Sequence, residues 1–137
     1  AWMHLTDFIT HIQVANPNQF SLCGTNCFIL GRGPLKTLVD PGDFPERNQE
    51  FLGRLSSYLD ANANVAINDL VTHGHFDHFL GIYEIWDTFG KDLPLYLNPE
   101  EEKLISTSSW NGCDMIGDER SYKGSFNALN EGDITIK

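Results

Sequence analysis

The segment 72–78, with the sequence THGHFDH, constrains the fold of this chain more than any other feature. It contains three of the chain's five histidines and one aspartate. Imidazole and carboxylate groups are good ligands for borderline metals such as zinc. Solvent-exposed histidines in a polar loop are the alternative, but apolar sequence flanks the segment on both sides. The segment therefore predicts a metal site in a loop that is supported by regular secondary structure.

The spacing of the four candidate ligands favours two ions over one. The adjacent residues Asp77 and His78 cannot both point where His73 and His75 point. A looped backbone lets His73 and His75 bind one ion while Asp77 and His78 reach a second. Two ions about 3.5–4 Å apart activate a water molecule and polarise a carbonyl or phosphoryl oxygen. A helix that starts just after His78 is expected to fix this geometry.

Hydropathy patterning predicts an α/β protein with a mixed sheet, in a single domain that spans residues 1–137. The predicted strands are 8–14, 27–30, 35–40, 65–71 and 93–97, with a further strand from 134; the predicted helices are 45–61, a buried one ending near 90, and one that begins at 99. The histidines follow the carboxyl end of the strand 65–71. Open α/β sheets place their ligand crevices at that end of their strands.

The charge balance of the chain restricts the classes of partner. The formal charge is −10, from 9 Lys and Arg against 19 Asp and Glu. A nucleic-acid binder with a large footprint uses a basic surface, which this composition does not favour. Bound dications would change that balance locally, so phosphodiester chemistry at a metal centre stays open. Three cysteines leave at least one unpaired, which favours a reducing compartment, and no apolar run is long enough for a bilayer.

The motif H-x-H-x-D-H after a hydrophobic strand resembles the metal motif of the metallo-β-lactamase superfamily, which implies an αββα sandwich. Segments 24–31 and 33–42 resemble the first hairpin of that superfamily. With Asn16-Pro17 ahead of them, the pattern is most similar to the β-lactamase-like protein 2 group. Members of that group are zinc-dependent single-strand endoribonucleases of mitochondria. Segment 129–133 resembles the strand that precedes the group's next metal motif.

The resemblance implies a role for each candidate site residue. His73 and His75 would bind the first zinc ion, and Asp77 and His78 the second. Asp77 would also orient the nucleophilic water or accept its proton. Asp40 matches an aspartate at a strand end that steadies the ligands through hydrogen bonds. An ordinary turn residue is the alternative for Asp40.

Two features of the sequence depart from the family pattern. Phe79 and Leu80 stand where family members usually have small residues, and Phe76 occupies a position that is often basic or polar in the group. The remaining metal ligands of the family would lie beyond Lys137. The resemblance therefore predicts that residues 1–137 form the N-terminal half of one truncated sandwich domain.

The resemblance implies that the full-length family member is an endoribonuclease-like hydrolase, which cleaves a phosphodiester with a water that two zinc ions activate. Residues 1–137 alone are predicted to be inactive. The alternatives are a thioester or lactone hydrolase that uses the same ligands, and a catalytically inactive, truncated metal-binding product. The predicted partners are single-stranded RNA or a small ester or thioester, with no membrane. Self-association through an uncovered sheet face is also expected. The predicted location is intracellular, in the mitochondrial matrix or the cytoplasm.

Overall fold

The computed structural model describes residues 2–14, 17, 24–43, 45–73, 76–89, 93–101 and 127–128. In these ranges seven strands form one sheet whose spatial order follows the chain: β1 (Trp2–His4), β2 (Ile9–Gln13), β3 (Asn26–Leu30), β4 (Leu35–Val39), β5 (Ala66–Val71), β6 (Leu95–Leu97) and β7 (Asn127–Ala128). Strands β1 to β4 pair antiparallel, and β4 to β7 pair parallel. The helices are α1 (Pro45–Ala61), α2 (Phe76–Phe79) and α3 (Ile82–Phe89). The predicted α/β class with a mixed sheet is confirmed.

Helix α1 connects β4 to β5 and buries one face of its cylinder. Phe51, Leu55 and Tyr58 recur at helical spacing, and all three are buried. Tyr58 packs edge-on against Trp2 of β1, with ring centroids 5.3 Å apart. The helical face predicted from the sequence is therefore the face that contacts the sheet.

The register of the sheet aligns one buried residue from each of five strands. Thr10, Ile29, Leu38, Asp69 and Leu95 are successive partners across β2 to β6. Register partners project from the same face of a sheet. The hydrophobic core of the described residues consists of Ile12, Val14, Cys27, Ile29, Leu38, Phe51, Leu55, Tyr58, Val71, Phe79, Leu80, Ile82, Ile85, Leu95 and Leu97. Asp69 is thus a carboxylic acid within an otherwise largely apolar layer.

The opposite side of the sheet is less buried. His11, Phe28, Val39, Leu70 and Tyr96 form the neighbouring row of register partners. Each of these five side chains is half-buried. We call this row the second face of the sheet. None of the helices in the described ranges combines the length and the apolar character that crossing a bilayer requires.

Most predicted elements match the structure within one or two residues, but β1, β7 and the division of the helix after His78 were not predicted. Strand β1 was not predicted, because three residues provide too short a pattern. The helix expected to start after His78 is two helices, and α2 begins at Phe76, so His78 lies inside the first of them. The residues from Pro99 are helical as predicted, and Asn98 Oδ1 accepts the Glu100 N–H at 2.9 Å. The strand predicted from 134 lies outside the described residues.

Candidate metal centre

Two of the predicted ligands meet at the carboxyl end of β5. The strand ends at Val71, and His73 follows two residues later. His78 is supplied by α2, whose single turn brings its imidazole back towards the strand end. The ring centroids of His73 and His78 are 4.2 Å apart. The histidine cluster therefore lies where a ligand crevice was predicted.

Asp40 reaches this cluster from the end of β4. Its backbone has a φ of 62°, in the left-handed region that few residues other than glycine adopt and in which aspartate is enriched. The Asp40 N–H donates to the Leu70 carbonyl at 2.9 Å, and the Asp40 carbonyl accepts a hydrogen bond from the Cys27 thiol. These contacts fix the turn against β3 and β5. They also place the Asp40 side chain, which is only 5% exposed, under the histidines.

The Asp40 carboxylate accepts hydrogen bonds from both ends of the cluster. The Thr72 N–H donates to Oδ1 at 2.8 Å, and the Thr72 hydroxyl lies 2.8 Å from Oδ2. His78 Nδ1 is also 2.8 Å from Oδ2. Because an ionised carboxylate only accepts hydrogen bonds, we assign the proton of this contact to His78 Nδ1. The lone pair of a neutral His78 is then on Nε2, which is the nitrogen able to bind a metal ion.

The junction between α2 and α3 packs tightly against the turn that follows Asp40. The Gly81 N–H donates to the Gly42 carbonyl at 3.2 Å. A Cβ atom on Gly81 would lie 2.0 Å from the Pro41 carbonyl oxygen and 2.8 Å from Asn48 Nδ2. Only glycine fits this contact without a shift of backbone. The close approach anchors α2, and therefore His78, to the turn that contains Asp40.

The two bulky residues that depart from the family pattern are accommodated in the core. Phe79 and Leu80 are 0% and 1% exposed. Their burial adds apolar contacts at the end of α2. The position in this segment that requires a small residue is Gly81, because of its close contact with Pro41. The departure therefore leaves the close contact behind the cluster intact.

A second carboxyl lies near Asp40 in the sheet. Asp69 is fully buried, and among the described residues no group makes a hydrogen bond of good geometry to either of its oxygens. Burial raises the pKa of Asp69 well above its ordinary value of 3.8, and the like charge of Asp40 raises that pKa further. The nearby Leu70 backbone N–H lowers the pKa of Asp69, but less than burial raises it. Asp69 is therefore stable in its neutral form.

The donor set of the cluster fits a divalent metal ion. Asp40, His73 and His78 each offer one ligand atom, and these atoms lie within 4.8 Å of one another. The two imidazoles are donors that borderline divalent metals accept, and the Asp40 carboxylate, which accepts hydrogen bonds from Thr72 and from His78 Nδ1, orients them. The described residues therefore contain a candidate metal site, built from three segments of the chain.

The structure brings together two of the four predicted metal ligands. The rings of His73 and His78 lie side by side. His78 is hydrogen-bonded to Asp40 directly, and His73 is linked to Asp40 through the Thr72 hydroxyl. His75 lies outside the described residues, as does the side chain of Asp77, whose backbone is in α2. The roles assigned to these four residues stay predictions.

Sequence reasoning missed Thr72. Its hydroxyl contacts both Asp40 and His73. The available signal was a hydroxyl residue immediately before the first histidine of the motif. That signal is weak without a structure, because threonine is also a common strand residue.

Sequence comparison associates the chain with one family. The family described as "Metallo-beta-lactamase superfamily" matches residues 21–113. The chain is 41% identical over 95 residues to the Beta-lactamase-like protein 2 homolog of Caenorhabditis elegans. This alignment covers 67% of the chain and 31% of the C. elegans protein. The chain is 33% identical over 84 residues to the homolog of the same name from Drosophila melanogaster, covering 61% and 28%. The chain thus spans about a third of the length of these curated relatives.

Solved structures share the fold at low sequence identity. A structure of the DIM-1 metallo-beta-lactamase superposes with a TM-score of 0.62 at 16% identity, covering 98% of this chain and 54% of that one. The metallo-beta-lactamase from Pontibacter korlensis gives a TM-score of 0.58 at 14% identity, covering 80% and 48%. These similarities bear on the fold and confirm its predicted type.

Proposed function

The chain belongs to the metallo-beta-lactamase superfamily, and from this premise we propose that the protein is a zinc-dependent hydrolase. We propose further that its substrate is a phosphodiester of single-stranded RNA. The observation that supports the proposal most directly is the convergence of His73, His78 and Asp40 at the end of β5. A metal site in this position is what the family motif in the sequence predicts.

The described residues provide two of the proposed ligands, His73 and His78, and the carboxylate that orients them, Asp40. A bound zinc ion would supply Lewis acidity, which lowers the pKa of water and polarises a phosphoryl oxygen. Asp40 retains the proton on His78 Nδ1 and so keeps Nε2 of that imidazole available as a ligand. Asp77 is assigned the orientation of the attacking water or the acceptance of its proton. His75 is assigned to the first of two zinc ions, beside His73.

The RNA substrate is proposed from the resemblance of the sequence motifs to the β-lactamase-like protein 2 group, a name that two of the relatives carry. The net charge of −10 does not favour a long nucleic-acid interface. The proposal is therefore recognition of a short single-stranded segment, with the metal site as the main source of positive charge. If the protein instead hydrolyses a thioester or a lactone at the same metal site, it is a thioester or lactone hydrolase and the RNA proposal is wrong.

The test uses the complete domain, of which residues 1–137 are proposed to be the N-terminal half, and compares the wild type with His78→Ala and with His4→Ala. His4 lies on the exposed edge strand β1, where its Nδ1 contacts Thr10, and it serves as the matched control. Each protein is loaded with zinc, analysed for metal content, and assayed on single-stranded RNA, a thioester and a lactone. We expect RNA cleavage by the wild type and by His4→Ala, and loss of both metal and cleavage in His78→Ala. A wild-type protein that binds no zinc, or that cleaves only the thioester or lactone, contradicts the proposal.

Two predictions about partners and location remain. Self-association is proposed to use the second face, where apolar side chains such as Phe28 and Leu70 are half-buried. Sedimentation with Leu70→Glu as the variant tests this: the variant should lower the association state, and an unchanged state contradicts the proposal. A mitochondrial or cytoplasmic location stays a prediction, which cell fractionation tests.

A further inference from the structure

The hydroxyl of Thr72 lies between the Asp40 carboxylate and the His73 imidazole. Its Oγ1 is 2.8 Å from Asp40 Oδ2 and 3.0 Å from Oδ1. The same atom is 2.8 Å from His73 Nδ1. A hydroxyl donates one proton and accepts through its lone pairs. Because the ionised carboxylate only accepts, the Thr72 proton goes to Asp40, and the Thr72 oxygen accepts from His73 Nδ1–H.

We propose that Thr72 is a positioning residue that fixes the tautomer of His73. With the proton on Nδ1, the lone pair of the neutral imidazole is on Nε2, and that nitrogen binds the metal ion. Asp40 then determines the tautomer of both histidines of the cluster. It contacts His78 directly and His73 through the Thr72 hydroxyl. This inference rests on the proposed function, because it assigns a role within the proposed metal site.

The physical basis is that either ring nitrogen of a neutral imidazole can carry the proton, which leaves the lone pair on the other nitrogen. The hydrogen bond made by one nitrogen decides which of the two is left to bind metal. A site that needs Nε2 must therefore provide an acceptor at Nδ1. At His78 that acceptor is a carboxylate oxygen, and at His73 it is a hydroxyl polarised by the same carboxylate.

The test uses two substitutions at Thr72 that separate the hydroxyl from the rest of the residue. Thr72→Val keeps the branched shape and the backbone N–H bond to Asp40, which is 2.8 Å long, but removes the hydroxyl. Thr72→Ser keeps the hydroxyl. Proton–nitrogen NMR of the ring reports the His73 tautomer in the metal-free protein at a pH where the imidazole is neutral. We expect Nδ1–H in the wild type and in Thr72→Ser, and a gain of Nε2–H in Thr72→Val.

Zinc titration provides the second measurement. Thr72→Val should weaken zinc binding about 10- to 100-fold, the range typical when a partner of a metal ligand is removed. Thr72→Ser should restore most of that affinity. Thr10→Val is the matched control, because Thr10 Oγ1 lies 2.8 Å from Nδ1 of a histidine outside the cluster, His4. It should leave the His73 tautomer and the zinc affinity unchanged.

The outcomes separate this inference from the function on which it rests. Nε2–H on His73 in the wild-type protein, a measurement that needs no variant, overturns the role of Thr72. Equal zinc affinity and equal tautomer populations in wild type and Thr72→Val overturn it as well. A wild-type protein with Nδ1–H on His73 but no affinity for zinc contradicts the proposed function instead.

Discussion

Replacing Asp69 by asparagine should remove a strong dependence of stability on pH. Asp69 lies between Leu38 and Leu95 in the buried row of the sheet, and within the described part of the chain neither carboxyl oxygen has a hydrogen bond of good geometry. Burial is the main reason that its pKa rises well above 3.8, and the Asp40 charge adds to the effect. Asparagine has nearly the same size as aspartate, so Asp69→Asn removes the titration with little change in packing.

The sign of the effect follows from where the proton is bound. In the unfolded chain Asp69 ionises near its ordinary pKa, whereas the folded chain keeps the proton to a much higher pH. Protonated Asp69 therefore gives its full contribution to stability below about pH 4. That contribution is lost as the pH rises towards the folded-state pKa. In that window the free energy of unfolding should fall by about 1.4 kcal/mol for each pH unit.

Urea denaturation at a series of pH values from about pH 4 upwards provides the assay, with a chelator present so that bound metal does not vary. Groups other than Asp69 titrate alike in both proteins, so their effects cancel when the free energy of unfolding of the wild type is subtracted from that of Asp69→Asn. This difference should increase with pH by about 1.4 kcal/mol for each pH unit. Asp60→Asn, which changes an exposed carboxyl of α1, is the control and should run parallel to the wild type. If Asp69→Asn also runs parallel to the wild type, Asp69 is not buried as a neutral acid.

Three further predictions concern the support and the chemistry of the site. Gly81→Ala should lower the free energy of unfolding by at least about 1–3 kcal/mol in thermal or urea denaturation, because its Cβ would meet backbone at 2.0 Å. Gly53→Ala, in α1 with no atom within 4 Å of the added Cβ, is the control and should stabilise by about 0.5–1 kcal/mol; equal effects of the two substitutions would refute the tight contact. His75→Ala should remove at least one zinc ion by elemental analysis, and an unchanged metal content would exclude His75 as a ligand. Asp77→Asn should reduce hydrolysis by orders of magnitude in a folded protein, and near-wild-type turnover would rule out its assigned role.

The split of the helix at Gly81 shows where local patterns stop being informative. The sequence after His78 is apolar at so many positions that it predicts one buried helix without a break. The structure ends α2 at Phe79 and starts α3 at Ile82. The break follows from the close approach of Gly81 to the Pro41 carbonyl, a residue 40 positions away along the chain. No pattern within a window of a few turns contains that contact.

Asp69 is a similar case for burial. The segment of β5, AINDLV, has polar residues at two adjacent positions, so its alternation does not identify the buried side. The pairing of Asp69 with Leu38 and Leu95 places the carboxyl in the core layer. Its raised pKa is therefore a product of sheet register.

The sequence by itself determined the features that arise from neighbours along the chain. The spacing of Phe51, Leu55 and Tyr58 determined the buried face of α1, and Asn98-Pro99 determined a helix start. The motif of segment 72–78 predicted the family, which the comparison with family sequences confirms, and it predicted a metal site because its proposed ligands are close in sequence. Interactions within one helical turn or one strand period depend mainly on local conformation, so a linear pattern contains them.

The tertiary structure alone decided how the site is supported. Asp40 and His78 are 38 residues apart, and their contact exists because β4 and β5 pair in parallel with Val39 opposite Leu70. A shift of that register by one residue would turn the Asp40 side chain to the other face of the sheet. The contacts of Thr72 with Asp40 depend on the same register. Strand pairing is a long-range choice that depends on the packing of the whole sheet, which is why no local pattern determines it.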